Sequence, residues 1–261
     1  MRGARAGFTI FEVLAALLLL SVAMVGVVLA FATYSRRYAQ QDLRMTLDQN
    51  LRQGMDMMGD TLRTAGYGVP GASLANWITW VNGFGQNPTI VHTGGLPDAI
   101  SIAGATSQAV AQLTAHVDVG GTTLSVSDAS GLNVGAKGLL LIDGVENVLV
   151  RAINGTTLTV DTNPVTAGNQ GLVHAYPSGT PVYRVDVITF SVSPDANGVG
   201  RLLRDANQGA GAQQVADQIT NLAISAAQKL YTITLTATSA TRDPWLGFVT
   251  RRATDSVAVR N

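Results

Sequence analysis

Three features of this 261-residue chain predict an α+β fold, in which a long N-terminal helix packs on an antiparallel β-sheet and a β-rich subdomain is inserted in the head. Residues 8–33 form an apolar run whose single charge is Glu12. Leu43, Leu47, Leu51, Met55, Met58 and Leu62 then recur at steps of four and three, the spacing of one helix face. From Asp98 onward, short β-like runs are divided by glycine-bearing turns.

The apolar run is long enough for the ~20 residues that a membrane-spanning helix needs. Ser21 and Thr33 within it can return their hydroxyls to the helix backbone. A secretory signal would close its apolar stretch with a small-residue cleavage site, whereas here Arg2, Arg5 and Gly7 precede the stretch. Any cut at this leader therefore leaves the span attached. Glu12 costs a few kcal/mol at membrane depth even on the mildest insertion scale, so it needs a function and a partner. Arg2 and Arg5 before the span and Arg36 and Arg37 after it make the positive-inside rule a near tie.

Beyond the span the pattern stays helical but becomes amphipathic, with Arg44, Asp48, Arg52, Asp56, Asp60 and Arg63 on the other faces. One helix from Phe8 to Ala65 would be roughly 85–90 Å long at 1.5 Å per residue. Gly66-Tyr67-Gly68-Val69-Pro70 supplies glycine for a cap and proline for a stop. Gly26 and Gly54 lower helix propensity and are expected as points of bending.

Within residues 104–183, strands are expected at 139–142, 148–153 and 157–160, joined by the tight-turn dipeptides Asp143-Gly144 and Asn154-Gly155. These make up the inserted subdomain. The head sheet is expected from 185–192, a turn at Asp195-Ala196-Asn197-Gly198, then 200–204, 219–225, 230–238 and 254–260. Residues 208–217, with Gly209 and Gly211, read as a mobile connection. The Leu43 to Leu62 stripe is the natural cover for one face of that sheet.

Seventeen basic and seventeen acidic residues cancel, so no bulk attraction to nucleic acid is implied. Cysteine is absent, and the fold must hold without disulfides. His92, His116 and His174 stand alone in sequence, without metal-ligand spacing or a nucleophile motif, and neither an enzyme nor a cofactor is expected. Two convergences remain open: His174 with Asp143 or Asp161, and Asp128, Asp143, Glu146 and Asp161 around a Ca²⁺ ion. Trp77 and Trp80, near Tyr67, are expected in a core corner.

The order basic leader, Gly7, Phe8, then Glu12 four residues on, resembles the N-terminus of type IV prepilins and type II secretion pseudopilins. Asp60-Thr61-Leu62-Arg63-Thr64-Ala65-Gly66-Tyr67-Gly68 and the ending Ser256-Val257-Ala258-Val259-Arg260-Asn261 are similar to PilW-family minor pilins. The resemblance implies a type IV pilin-like fold: leader 1–7, transmembrane and assembly helix 8–33, amphipathic helix 34–66 and β-rich head 67–261. It implies cleavage by prepilin peptidase between Gly7 and Phe8, N-methylation of Phe8, and pairing of Glu12 with a neighbouring subunit's Phe8 amine. The implied partners are other minor pilins, the major pilin and the inner-membrane assembly platform. Before assembly such a chain sits in the inner membrane with its head in the periplasm, and afterwards at the pilus tip. The related alternatives are a J-type minor pseudopilin of a type II secretion system and a membrane-anchored periplasmic binding domain.

Overall fold

Helix α1 (Ile10–Arg63) runs unbroken for 54 residues, about 80 Å. The computed structural model describes residues 10–67, 90–105, 108–135, 138–164, 166–206, 208, 210–243 and 247–259. No residue of 10–46 is buried, whereas Leu47, Leu51, Gly54, Met55, Met58, Gly59 and Leu62 are. The helix thus has two environments along one continuous backbone. After Arg63, residues 64–67 form a turn, Gly66 takes φ +74°, and its amide donates to the Ala103 carbonyl at 2.8 Å. This is the left-handed conformation glycine adopts past a helix end.

The remaining elements are strands, all paired antiparallel. In chain order they are β1 (Ile90–His92), β2 (Ala99–Ala105), β3 (Ala111–Gln112), β4 (Thr123–Ser125), β5 (Leu139–Ile142), β6 (Glu146–Asn154) and β7 (Thr157–Asp161). There follow β8 (Pro181–Pro194), β9 (Gly200–Asp205), β10 (Gln213–Asp217), β11 (Ile219–Ala227), β12 (Leu230–Thr238) and β13 (Thr250–Ala258). Together with α1 they make the protein α+β.

One sheet follows the order β1-β2-β8-β5-β6-β7-β4, with β3, β9 and β10 joined at its sides. Its axis is β8, whose 14 residues serve two neighbourhoods. The Val182–Arg184 part pairs with β5, and Pro181 and Val182 pair with β3. Residues 185–191 pair with β2, while 189–194 pair with β9 on the opposite edge. The second sheet, β11-β12-β13, is a meander. Along β12 the side chains alternate: Ile233, Leu235 and Ala237 are buried, and Thr232, Thr234 and Thr238 on the other face hydrogen-bond to Ser256, Thr254 and Thr250.

The helix stripe enters a core with Ile100, Ile102, Phe190, Leu202, Leu222, Ile233 and Leu235. Leu47, Met58 and Leu62 are fully buried there, each contributing about 1.5–3 kcal/mol. A second buried cluster lies within residues 111–182 and is built from Leu113, Leu124, Leu140, Ile142, Val148, Leu158 and Val182, among others. Ala103, Leu139, Leu141, Leu149, Val185 and Val187 form a third cluster.

Several expectations are corrected or refined. Helix α1 continues unbroken through Gly54, where a Cβ would stand 2.9 Å from Leu202 Cδ2 and Leu235 Cδ1, so the missing side chain lets the helix lie close on the sheets. Residues 213–217 of the expected mobile connection are strand β10, paired with β9 across a bulge. Strand β13 spans 250–258, starting four residues before the expected 254–260, because residues 250–253 also pair with β12; Arg251 there makes an exposed bidentate bond to Asp48, 3.0 Å on both arms, and residue 260 lies outside the described residues. Asn154 belongs to β6, and Gly155-Thr156 form the turn, with Gly155 at φ +60°. Strand β8 begins at Pro181, four residues before the expected start, so a single strand joins both neighbourhoods.

Candidate functional site

Glu12 stands in the first turn of α1, where a carboxylate is favourable to the exposed helix amides. Around it Ile10 and Phe11 are 82 % exposed and Leu14 is 60 % exposed. This stretch is apolar surface that the chain does not cover, and α1 is long and apolar enough to cross a membrane. Ser21 donates to the Leu18 carbonyl at 2.7 Å and Thr33 to the Leu29 carbonyl at 2.8 Å, so their hydroxyls are satisfied within the helix. Gly7 and Phe8 lie outside the described residues.

The buried acids Asp98 and Asp161 are held by hydrogen bonds within the fold. Buried Asp98 accepts from Thr93 Oγ1, the Gly94 amide and the Ala99 amide, each at 2.8 Å, and lies 3.0 Å from His92 Nδ1. Burial pushes its carboxyl up, but these bonds outweigh it and hold the group below its ordinary value. Buried Asp161 receives Arg151 Nε at 3.0 Å and Nη2 at 2.6 Å, with the Asn163 and Gln170 amides. Burial again opposes, and the bonds again lower its pKa.

Glu146, also buried, accepts from the Val173 amide at 2.7 Å and from Tyr176 Oη at 3.0 Å. Burial and this carboxylate push the Tyr176 phenol up. His174 Nδ1 lies 3.4 Å from Glu146 Oε2, so its acidic neighbour is Glu146 and not Asp143 or Asp161. Asp128 accepts from Ser130 and shapes its own turn. Among the described residues, no three His, Asp or Glu side chains gather as a metal-ligand group.

Among the concave features of the described residues, one of about 320 Å³ lies between the β8–β9 turn at Asn197–Gly200 and Thr220, Thr238 and Phe248; two others involve α1 or the turn after it. A groove of about 740 Å³ runs between α1 and β10, lined by Arg52, Asp56, Met57, Arg204, Gln214 and Val215, among others. A smaller cleft, about 340 Å³, lies between Tyr67 and the β5–β6 turn. Tyr67 is 60 % exposed, and Trp77 and Trp80, expected in a core corner near it, lie outside the described residues. These concavities were not legible in the sequence, because each is made by segments far apart in the chain.

No family model and no curated relative matches the chain. Among solved structures, a phage phi92 endosialidase is similar over 63 % of this chain at 11 % identity, with a TM-score of 0.21. The match spans about a third of that protein's length, 33 %. A likeness this loose carries no argument about fold or function.

Proposed function

We propose that the chain is a minor pilin of a type IV pilus, cut by prepilin peptidase between Gly7 and Phe8 and assembled with other minor pilins into a tip complex that primes pilus growth. The observation that carries this reading is the division of α1: uncovered and apolar at one end, packed on antiparallel strands at the other. A helix of that kind serves first as a membrane anchor for a periplasmic head and then, drawn out of the lipid, as a strut packed among neighbouring subunits.

Glu12 supplies the docking chemistry. A carboxylate and an amine are each costly in apolar surroundings and tolerable as a pair, so the Phe8 amine of the adjacent pilin neutralises Glu12 as the subunit joins. Intact-mass analysis of the protein from its native membrane tests the first step. The expected N-terminus is a methylated Phe8; an intact leader in cells with active prepilin peptidase, or a cut after the apolar run, overturns the reading.

A further inference from the structure

We infer that the cleft between the end of α1 and the β5–β6 turn binds an uncharged pyranose sugar. Three distant segments line it: Tyr67 from the turn after α1, Leu141, Asp143 and Gly144 from the β5–β6 hairpin, and Tyr183 from β8. Its volume, about 340 Å³, lies at the small end of the range for small-molecule sites and suits one or two sugar rings.

The wall is fixed while its ring surface is left open. The Tyr67 carbonyl accepts from the Ala105 amide at 2.8 Å and its amide donates to the Thr64 carbonyl at 3.1 Å, yet its side chain stays exposed and fills no core. Tyr183 pairs with Leu141 across β8 and β5, so both side chains share a sheet face.

The lining selects the ligand. Tyrosine rings offer apolar faces to the C–H side of a pyranose and a polar tip to its hydroxyls. Asp143, whose backbone is held at φ +52° with its amide on the Pro181 carbonyl at 3.0 Å, presents a carboxylate able to accept two adjacent hydroxyls. Nothing crowds the Cβ position of Gly144, so a ligand can approach the main chain there. Among the described residues no basic side chain lines the cleft, which disfavours phosphates and acidic sugars. Asp143 is exposed, so water and salt weaken its pull on a free cation, and its hydrogen-bonding capacity is what remains.

Saturation-transfer NMR on the full-length protein, in a detergent without a sugar headgroup, tests the site with the methyl glycosides of glucose, galactose, mannose and N-acetylglucosamine. At least one should receive saturation, with affinity falling about tenfold or more in Tyr67→Ala and in Asp143→Asn and unchanged in Phe248→Ala, an exposed aromatic outside the cleft. Asp143→Asn changes one exposed group on a turn and keeps the test open should Tyr67→Ala fail to fold. Silence from all four glycosides overturns the inference, as does equal binding by wild type and both cleft variants. Tetramethylammonium binding that depends on Tyr67 and Asp143 in the absence of glycoside binding would make the cleft a cation cage, and also overturns it. None of these outcomes depends on pilus assembly.

Discussion

Asp98 is the acceptor on which the turn between β1 and β2 converges, since its carboxylate gathers Thr93, Gly94, Ala99 and His92 while only 2 % exposed. Its own amide donates to the Leu222 carbonyl at 2.7 Å, which ties that turn to the meander. Asp98→Ala leaves several donors without an acceptor and should cost about 2–3 kcal/mol in denaturant melts at neutral pH. The pH dependence follows from direction. Both Asp98 and Asp161 are held below the ordinary carboxylate value of 3.8, so the unfolded chain binds protons more readily than the folded one. Their stabilisation is complete above that value and is lost as pH falls through the depressed folded values. Thermal melts should therefore hold steady from about pH 5 to 7 and drop below about pH 4, with a shallower drop in Asp98→Asn. An acid limb of unchanged steepness in that variant would assign acid lability to other groups. At the same scale, the expectation for Gly7, Phe8 and Glu12 rests on contiguous sequence, one acid at a fixed offset in an apolar run. Tyr67, Asp143 and Tyr183 were not legible as a group, because only the path of β8 brings them together.

Among the elements, α1 packs on β9 and β12 at Gly54, where the side chains of Leu202 and Leu235 occupy the room a Cβ would need. Gly54→Leu should destabilise the head by about 1–3 kcal/mol through overpacking, even though it raises helix propensity. Gly26→Leu meets nothing within 4 Å and should leave the head's melting unchanged. Equal effects at both glycines would show that propensity, not packing, governs the site. Leu51→Asp places a charge where only 3 % of the residue is exposed and should unfold the head. Strands β5 and β12 fell where expected because a continuous apolar run and a strict alternation are local signals. Strand β10 was hidden because Gln213-Gln214-Val215-Ala216-Asp217 has neither signal and owes its form to β9. The start of β13 was hidden for the same reason: Thr250, Arg251 and Arg252 are polar, and Arg251 is held by Asp48 some two hundred residues away, a separation of 203.

At the scale of the whole molecule, α1 places an uncovered apolar rod at one end and two sheets at the other, so whatever happens to the rod is separable from the stability of the head. This separation makes the assembly role proposed for Glu12 testable without disturbing the fold. Glu12→Val removes a charge from the apolar segment, so membrane insertion should persist or improve. On the proposed role, joining should fail, because the Phe8 amine of a neighbouring subunit would enter apolar surroundings without its counter-charge. The measurements are co-purification with partner pilins from membrane extracts and counts of surface pili, with head folding checked by the melts above. The expected outcome is a normal head, a normal membrane fraction, reduced co-purification and fewer pili of ordinary appearance, since a priming subunit limits how many fibres start rather than how they are built. Glu12→Gln separates charge from shape: it keeps the side chain's size and hydrogen bonding but not its charge, so it should fail nearly as fully as Glu12→Val. Wild-type piliation in Glu12→Val would move recruitment from the rod to the head. The proposed sugar site would be untouched by that result, because it depends on Tyr67, Asp143 and Tyr183 and not on how the chain leaves the membrane.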